Sequence, residues 1–105
     1  MSVCVVFCTV PEENLAKKLA TSLVEKKLAA CVKVIPKVTT VYRWEEKVVT
    51  DSECQLIIKT VTDNVENAFV VVSEQHPYDV PEWLVIPDAQ GSDAYISWIR
   101  EQTNS

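Results

Sequence analysis

A chain of 105 residues with 48% hydrophobic residues, 24% charged residues and a single glycine fits one packed domain spanning 1–105, and excludes a disordered or linker-rich polypeptide. The net charge of -5, with acids spread along the chain and no basic stripe, excludes the phosphate-neutralising surface of a nucleic-acid binder. No apolar run approaches the ~20 residues of a spanning helix and neither end carries an export or lipidation signal, so a cytoplasmic protein with no membrane partner is expected.

Residues 3–8 are an apolar, β-rich run and predict a first strand. Thr9 and Glu12 have capping-box spacing and Pro11 suits a first turn, so a helix follows. Its apolar positions Leu15, Ala16, Leu19, Ala20, Leu23 and Val24 recur at three and four, and Lys26 and Lys27 place positive charge at its carbonyl end. From 30 to 44 the period becomes two. Val32, Val34, Val38, Thr40, Tyr42 and Trp44 fall on one face, with Lys33, Lys37 and Arg43 among those on the other, and Pro36 predicts a bulge or kink. Glu45-Glu46-Lys47 then turns the chain into a second long strand over about 48–60, making a hairpin.

Asp63 and Glu66 repeat the capping spacing, and Val65, Ala68, Phe69 and Val72 predict a second helix, although the β-branched run at 70–72 favours it poorly. In 76–82, two prolines push their preceding residues out of the α region and predict an extended, irregular segment. Residues 83–86 read as a short strand stopped by Pro87. Gly91 and Ser92 open a last helix through Tyr95, Ile96, Trp98 and Ile99, with Asp93 near its positive end. The order βαββαβ plus a C-terminal helix gives an α+β, ferredoxin-like fold: a four-stranded antiparallel sheet with both main helices on one face.

An arm of about 15 residues per strand at ~3.3 Å each reaches ~50 Å, beyond a domain whose radius of gyration is ~13 Å. Its outer half carries Val38, Val41, Tyr42, Trp44, Val48 and Val49, too much apolar edge surface to leave in water. A second copy of the chain is the simplest cover, with Val38, Tyr42, Trp44 and Val48 as expected interface residues. Shorter strands that bend back as a β-meander are the alternative.

The single histidine, His76, stands in a proline-stiffened segment with Tyr78, Asp79 and Glu82, an arrangement suited to presenting a binding site. Fully extended, it would aim His76, Tyr78 and Glu82 to one side and Asp79 to the other. A rigid connector whose polar groups bond nearby backbone explains it equally well. The four cysteines sit in apolar runs of a domain that needs no staples and are read as free thiols. Cys4 and Cys8 on one strand would be about 13 Å apart, too far to share a zinc ion. Cys8 closes the first strand before a helix start, where the dipole favours thiolate, unless it is buried and inert. If Cys8 and His76 meet, sulfur plus imidazole suits copper or zinc, with a neighbour or water completing the shell. One histidine without a serine partner, no glycine-rich loop, no HExxH and no paired CxxC argue for binding and not for an enzyme. Lys59, Tyr42, Trp44, Tyr78 and Trp83 either line a small-molecule pocket or pack a core and interface.

Together, Cys8-Thr9-Val10-Pro11, the block from Glu25 through Ala29-Ala30-Cys31-Val32, Ile35-Pro36, Tyr42-Arg43-Trp44-Glu45, Ile57-Ile58-Lys59-Thr60, the stretch His76-Pro77-Tyr78-Asp79-Val80-Pro81-Glu82 and Tyr95-Ile96-Ser97-Trp98-Ile99 resemble the CutA divalent-cation tolerance family in family order across nearly the whole chain. The resemblance implies a tight homotrimer with hairpins wrapping neighbouring subunits, and a link to copper and other divalent cations whose proposed ligands fall on Cys8 and His76. Gln75 stands where some members have a second histidine, and Lys37 and Glu46 stand where the family usually has glycine. A different class of function is a trimeric ligand sensor of the PII-like kind, holding an anionic metabolite between subunits near Lys59, Tyr78, Asp79 and Glu82.

Overall fold

The computed structural model describes residues 2–104; Met1 and Ser105, the two ends of the expected 1–105 domain, lie outside the described residues. In chain order it contains β1 (Val3–Val10), α1 (Glu13–Glu25), β2 (Cys31–Trp44), β3 (Lys47–Val61), a 3-10 turn (Thr62–Asn64), α2 (Val65–Gln75), β4 (Leu84–Ile86) and α3 (Asp93–Gln102). The strands form one antiparallel sheet in the order β2-β3-β1-β4, as the βαββαβ pattern required. Among the described residues no helix is long and apolar enough to cross a membrane.

Period two sorts β1 and β3 between two faces. Cys4, Val6, Cys8 and Val10 pair with Thr60, Ile58, Leu56 and Cys54, and this face is sealed by Ala16, Leu19 and Leu23 of α1 with Ala68 and Val72 of α2. Fully burying a leucine or isoleucine here contributes about 1.5–3 kcal/mol, so the face defines the core. On the opposite face α3 covers one end, packing Ile99 against Val3, Ala30 and Val61. Leu84 and Ile86, on the edge strand, remain exposed.

The first strand runs two residues further than its apolar run suggests. Thr9 and Val10 pair with Gln55 and Cys54, so Thr9 is strand and makes no capping box; Glu12 is the helix cap, without a side-chain bond, and Pro11 precedes it. The second expected box fails likewise: Asn64 caps α2 without a side-chain bond to the helix, and its Nδ2 donates instead to the Lys27 carbonyl at 3.2 Å. Ser92 does cap α3, its Oγ accepting from the Tyr95 amide at 3.2 Å. Helix α1 ends in a Schellman closure, with the Leu28 amide on the Leu23 carbonyl at 2.9 Å and the Lys27 amide on the Val24 carbonyl at 3.0 Å. Lys27 takes the left-handed position there, at φ 59°.

The hairpin arm is as long as expected. Its strands stay paired from Cys31↔Lys59 to Trp44↔Lys47, and the molecule measures 44 Å along one axis against 24 and 22 Å along the others. Glu45 and Glu46, both at positive φ (48° and 67°), form the two-residue turn, the geometry of a type I′ hairpin. Between Ile35 and Val38 the register slips by one residue at a bulge, where Lys37 adopts φ 60°. Val32 and Val34 therefore face α1 and α2, whereas Val38, Thr40, Tyr42 and Trp44 lie on the opposite face. The uniform stripe expected over 32–44 is thus split, because a single inserted residue reverses every side chain beyond it.

Candidate functional site

Where β1 ends, β3 continues into the arm, and the segment 76–82 crosses the same place on its way from α2 to β4. The two enclose a cavity of about 630 Å³ lined by Thr9, by Thr40, Tyr42, Trp44 and Glu53 of the arm, and by Pro77, Tyr78, Asp79, Val80 and Glu82 of the crossing strap. The strap is not extended throughout, as sequence suggested; it bends over 77–80, which brings Asp79 to the same side as Tyr78 and Glu82.

Both ends of the strap are fastened. At the first, His76 Nε2 lies 2.7 Å from the Thr9 carbonyl, which can only accept, and the Tyr78 amide donates to Nδ1 at 3.1 Å. These partners assign the neutral tautomer with its proton on Nε2. At the other, the Gln55 amide nitrogen donates to Glu82 Oε2 and also to the Cys8 and Leu56 carbonyls, each at 3.1 Å. Gln55 thereby ties the strap to the sheet. Facing it, the Tyr42 hydroxyl donates to Asp51, and that bond, followed by burial and by the charges of Asp51 and Glu53, pushes the phenol up to about 12. Tyr78 is raised too, by burial first and then by Glu53 and Asp51.

Cys8 and His76 both approach one backbone oxygen. The Cys8 thiol points to the Thr9 carbonyl at 3.8 Å, the same oxygen that takes the His76 proton. Of the two alternatives for Cys8 the structure has the buried one: the side chain is fully buried on the helix face of β1, and burial, reinforced by the charge of Glu82, pushes the thiol up to about 12. Both His76 nitrogens are committed to backbone, and among the described residues no three His, Cys, Asp or Glu side chains are grouped to hold an ion. Gln75 Oε1, next in the chain, is buried without a hydrogen-bond partner among the described residues. A resident ion does not fit these residues as they stand, since it would have to displace two bonded protons and would find only two ligands.

Lys59, expected beside the strap, is placed elsewhere within the subunit. It lies on the face of β3 that α3 covers, where its Nζ donates to the Tyr95 hydroxyl at 3.1 Å and sits 5.2 Å from the centre of that ring; Trp98 stacks behind at 5.7 Å. Trp83 is also outside the cleft, packed against Phe69 at 5.2 Å. Of the expected interface residues, Tyr42 and Trp44 line the cleft, Val38 shares their face, and Val48, 69% exposed, points to the other side of the arm with Val41. Sequence reasoning missed Thr40, Glu53 and Gln55. Glu53 and Gln55 carry one signal, since with Asp51 they form a polar row at period two along one face of β3.

Comparison with known proteins agrees with this architecture. Residues 4–102 match the profile described as CutA1 divalent ion tolerance protein. The Divalent-cation tolerance protein CutA of Thermus thermophilus is 44% identical over 94% of this chain and 96% of its own length. Protein CutA, chloroplastic, of Arabidopsis thaliana is 46% identical over 96% of this chain but only 56% of its own length, so the chain spans little more than half of that relative. That name places the plant relative in a chloroplast, so kinship does not carry the cytoplasmic expectation. The solved structure of the Thermus thermophilus divalent cation tolerance protein (Cut A1) superposes with a TM-score of 0.92 at 43% identity, covering 97% of this chain and 99% of that one. Sequence profile, relatives and fold coincide over nearly every described residue, and the chain belongs to the CutA1 divalent ion tolerance protein family.

Proposed function

We propose that this chain serves divalent-cation tolerance by binding, without turnover, as a homotrimer whose cleft between arm and strap meets the cation. The observation that carries this is the lining of the cleft: its ionisable side chains are the carboxylates of Glu53, Asp79 and Glu82 and the phenols of Tyr42 and Tyr78, with no lysine or arginine among them. A concave site lined by one sign of charge concentrates counter-ions of the other. Within one subunit the same lining disfavours an anionic metabolite, because Lys59 of that subunit is held against Tyr95 and is not among the lining residues. With no chelating trio among the described residues of one subunit, the ion would keep its water or take a ligand from a neighbouring copy. The trimer is supported by the exposed apolar surface of the arm and edge strand, including Val41, Val48 and Leu84, which water covers poorly.

Copper or another soft transition-metal ion is a second reading, favoured by the convergence of Cys8 and His76 on one carbonyl. It requires the strap to open and the Cys8 proton to leave. Calorimetric titration of metal-free protein with Mn(II), Zn(II), Cu(II) and Cu(I) tests both, with light scattering expected to give three times the 11.8 kDa of one chain. Loss of Mn(II) binding in Glu53→Gln supports the cleft. Loss of Cu(I) binding in both Cys8→Ser and His76→Ala supports the soft site, and binding indifferent to all three substitutions refutes both.

A further inference from the structure

The cleft is aromatic as well as acidic, and an aquated inorganic ion makes no use of that. Tyr42 and Trp44 of the arm and Tyr78 of the strap line the cavity that Glu53, Asp79 and Glu82 make negative, and in a single subunit they are 36%, 62% and 45% exposed. Ring faces attract cations through their quadrupole, most strongly when the cation is weakly hydrated and carries carbon groups that also gain from apolar contact. Carboxylates at the rim add a longer-range field and accept N–H bonds. A volume of about 630 Å³ falls within the range of small-molecule sites. Val80 and Pro77 add apolar wall, which an organic ion contacts and a hydrated metal does not.

Resting on the reading that this cleft takes cations, we infer that its preferred ligand class is a small organic ammonium ion, held against Trp44, Tyr42 and Tyr78 and neutralised by Glu53, Asp79 and Glu82. Thr9 and Thr40 also line the cleft, and a threonine hydroxyl can accept an N–H of a primary or secondary ammonium. The test uses the assembled protein and four probes in parallel by calorimetry: tetramethylammonium chloride, butylammonium chloride, manganese chloride and sodium acetate. Saturable binding of an ammonium probe is expected, weakened about tenfold in Trp44→Ala, largely restored in Trp44→Phe, and weakened in Glu53→Gln and by added salt. Circular dichroism and light scattering check each variant, and if Trp44→Ala does not fold, Trp44→Phe and Glu53→Gln carry the comparison. Saturation by manganese but by neither ammonium probe overturns the inference while leaving the cation reading intact. Saturation by an ammonium probe without manganese upholds the inference and removes inorganic ions from the cleft. No saturation by any cation, or ammonium binding indifferent to both Trp44 and Glu53, overturns it.

Discussion

Alkylation of Cys8 decides how this protein meets soft metals. A shift from 9.0 to about 12 lowers the thiolate fraction at neutral pH about a thousandfold and adds roughly 4 kcal/mol to the cost of removing the proton. Full burial adds a second barrier, because iodoacetamide reaches the sulfur only after local opening. Cys31, partly exposed beside Tyr95, is an internal reference that needs no opening. In timed pulses of iodoacetamide at pH 7.5, followed by peptide-resolved mass spectrometry, Cys31 is expected to label first and Cys8 about a hundredfold or more slower. Cys4 and Cys54, also buried, should be slow as well, and all four should label together in urea. Glu82→Gln should speed Cys8 slightly, since the Glu82 charge is the smaller of its two causes of shift. A native Cys8 rate within about tenfold of Cys31 would refute the reasoning: the thiol would then be ionised and reachable, ready to ligate an ion without rearrangement.

Backbone strain offers a second test. Lys27, Lys37 and Glu46 occupy left-handed positions that favour glycine, so Lys27→Gly, Lys37→Gly and Glu46→Gly should each raise stability by up to about 1 kcal/mol, read as a higher urea midpoint at fixed protein concentration. Lower midpoints for all three would contradict the turn geometry. Tyr42 supplies a third prediction. A phenol raised from 10.0 to about 12 in the folded state contributes stability that is complete below pH 10 and lost as pH climbs through 12. Ultraviolet titration should show Tyr42 ionising near pH 12 and earlier in Asp51→Asn, with Tyr42→Phe removing that step; an unchanged titration in Asp51→Asn would sink the bond as cause.

Much of the fold was legible because local periodicity and burial agree. Leu19 and Leu23 face the sheet since a 3.6-residue period leaves them no other side, and alternation in β1 sends Cys4, Val6 and Cys8 inward together. The glycine positions of the family marked the bulge and the turn, where this chain carries Lys37 and Glu46 at positive φ. Capping boxes misled because Thr9 found a strand partner in Gln55, and pairing along a whole ladder outweighs one side-chain cap.

Composition and period thus determined the element order, the core face and the length of the arm, all of which depend on neighbours close in sequence. Where the functional groups meet was decided only by the tertiary structure. The Thr9 carbonyl gathers Cys8, its chain neighbour, and His76, 67 residues further along the sequence, the bulge turns Tyr42 and Trp44 toward the strap, and the bend at 77–80 adds Asp79. Lys59 joins Tyr95 instead, because side chains on one face of a sheet share partners with the helix laid across it and not with residues near them in the family's motifs. These encounters follow from register and crossover, which no single segment encodes.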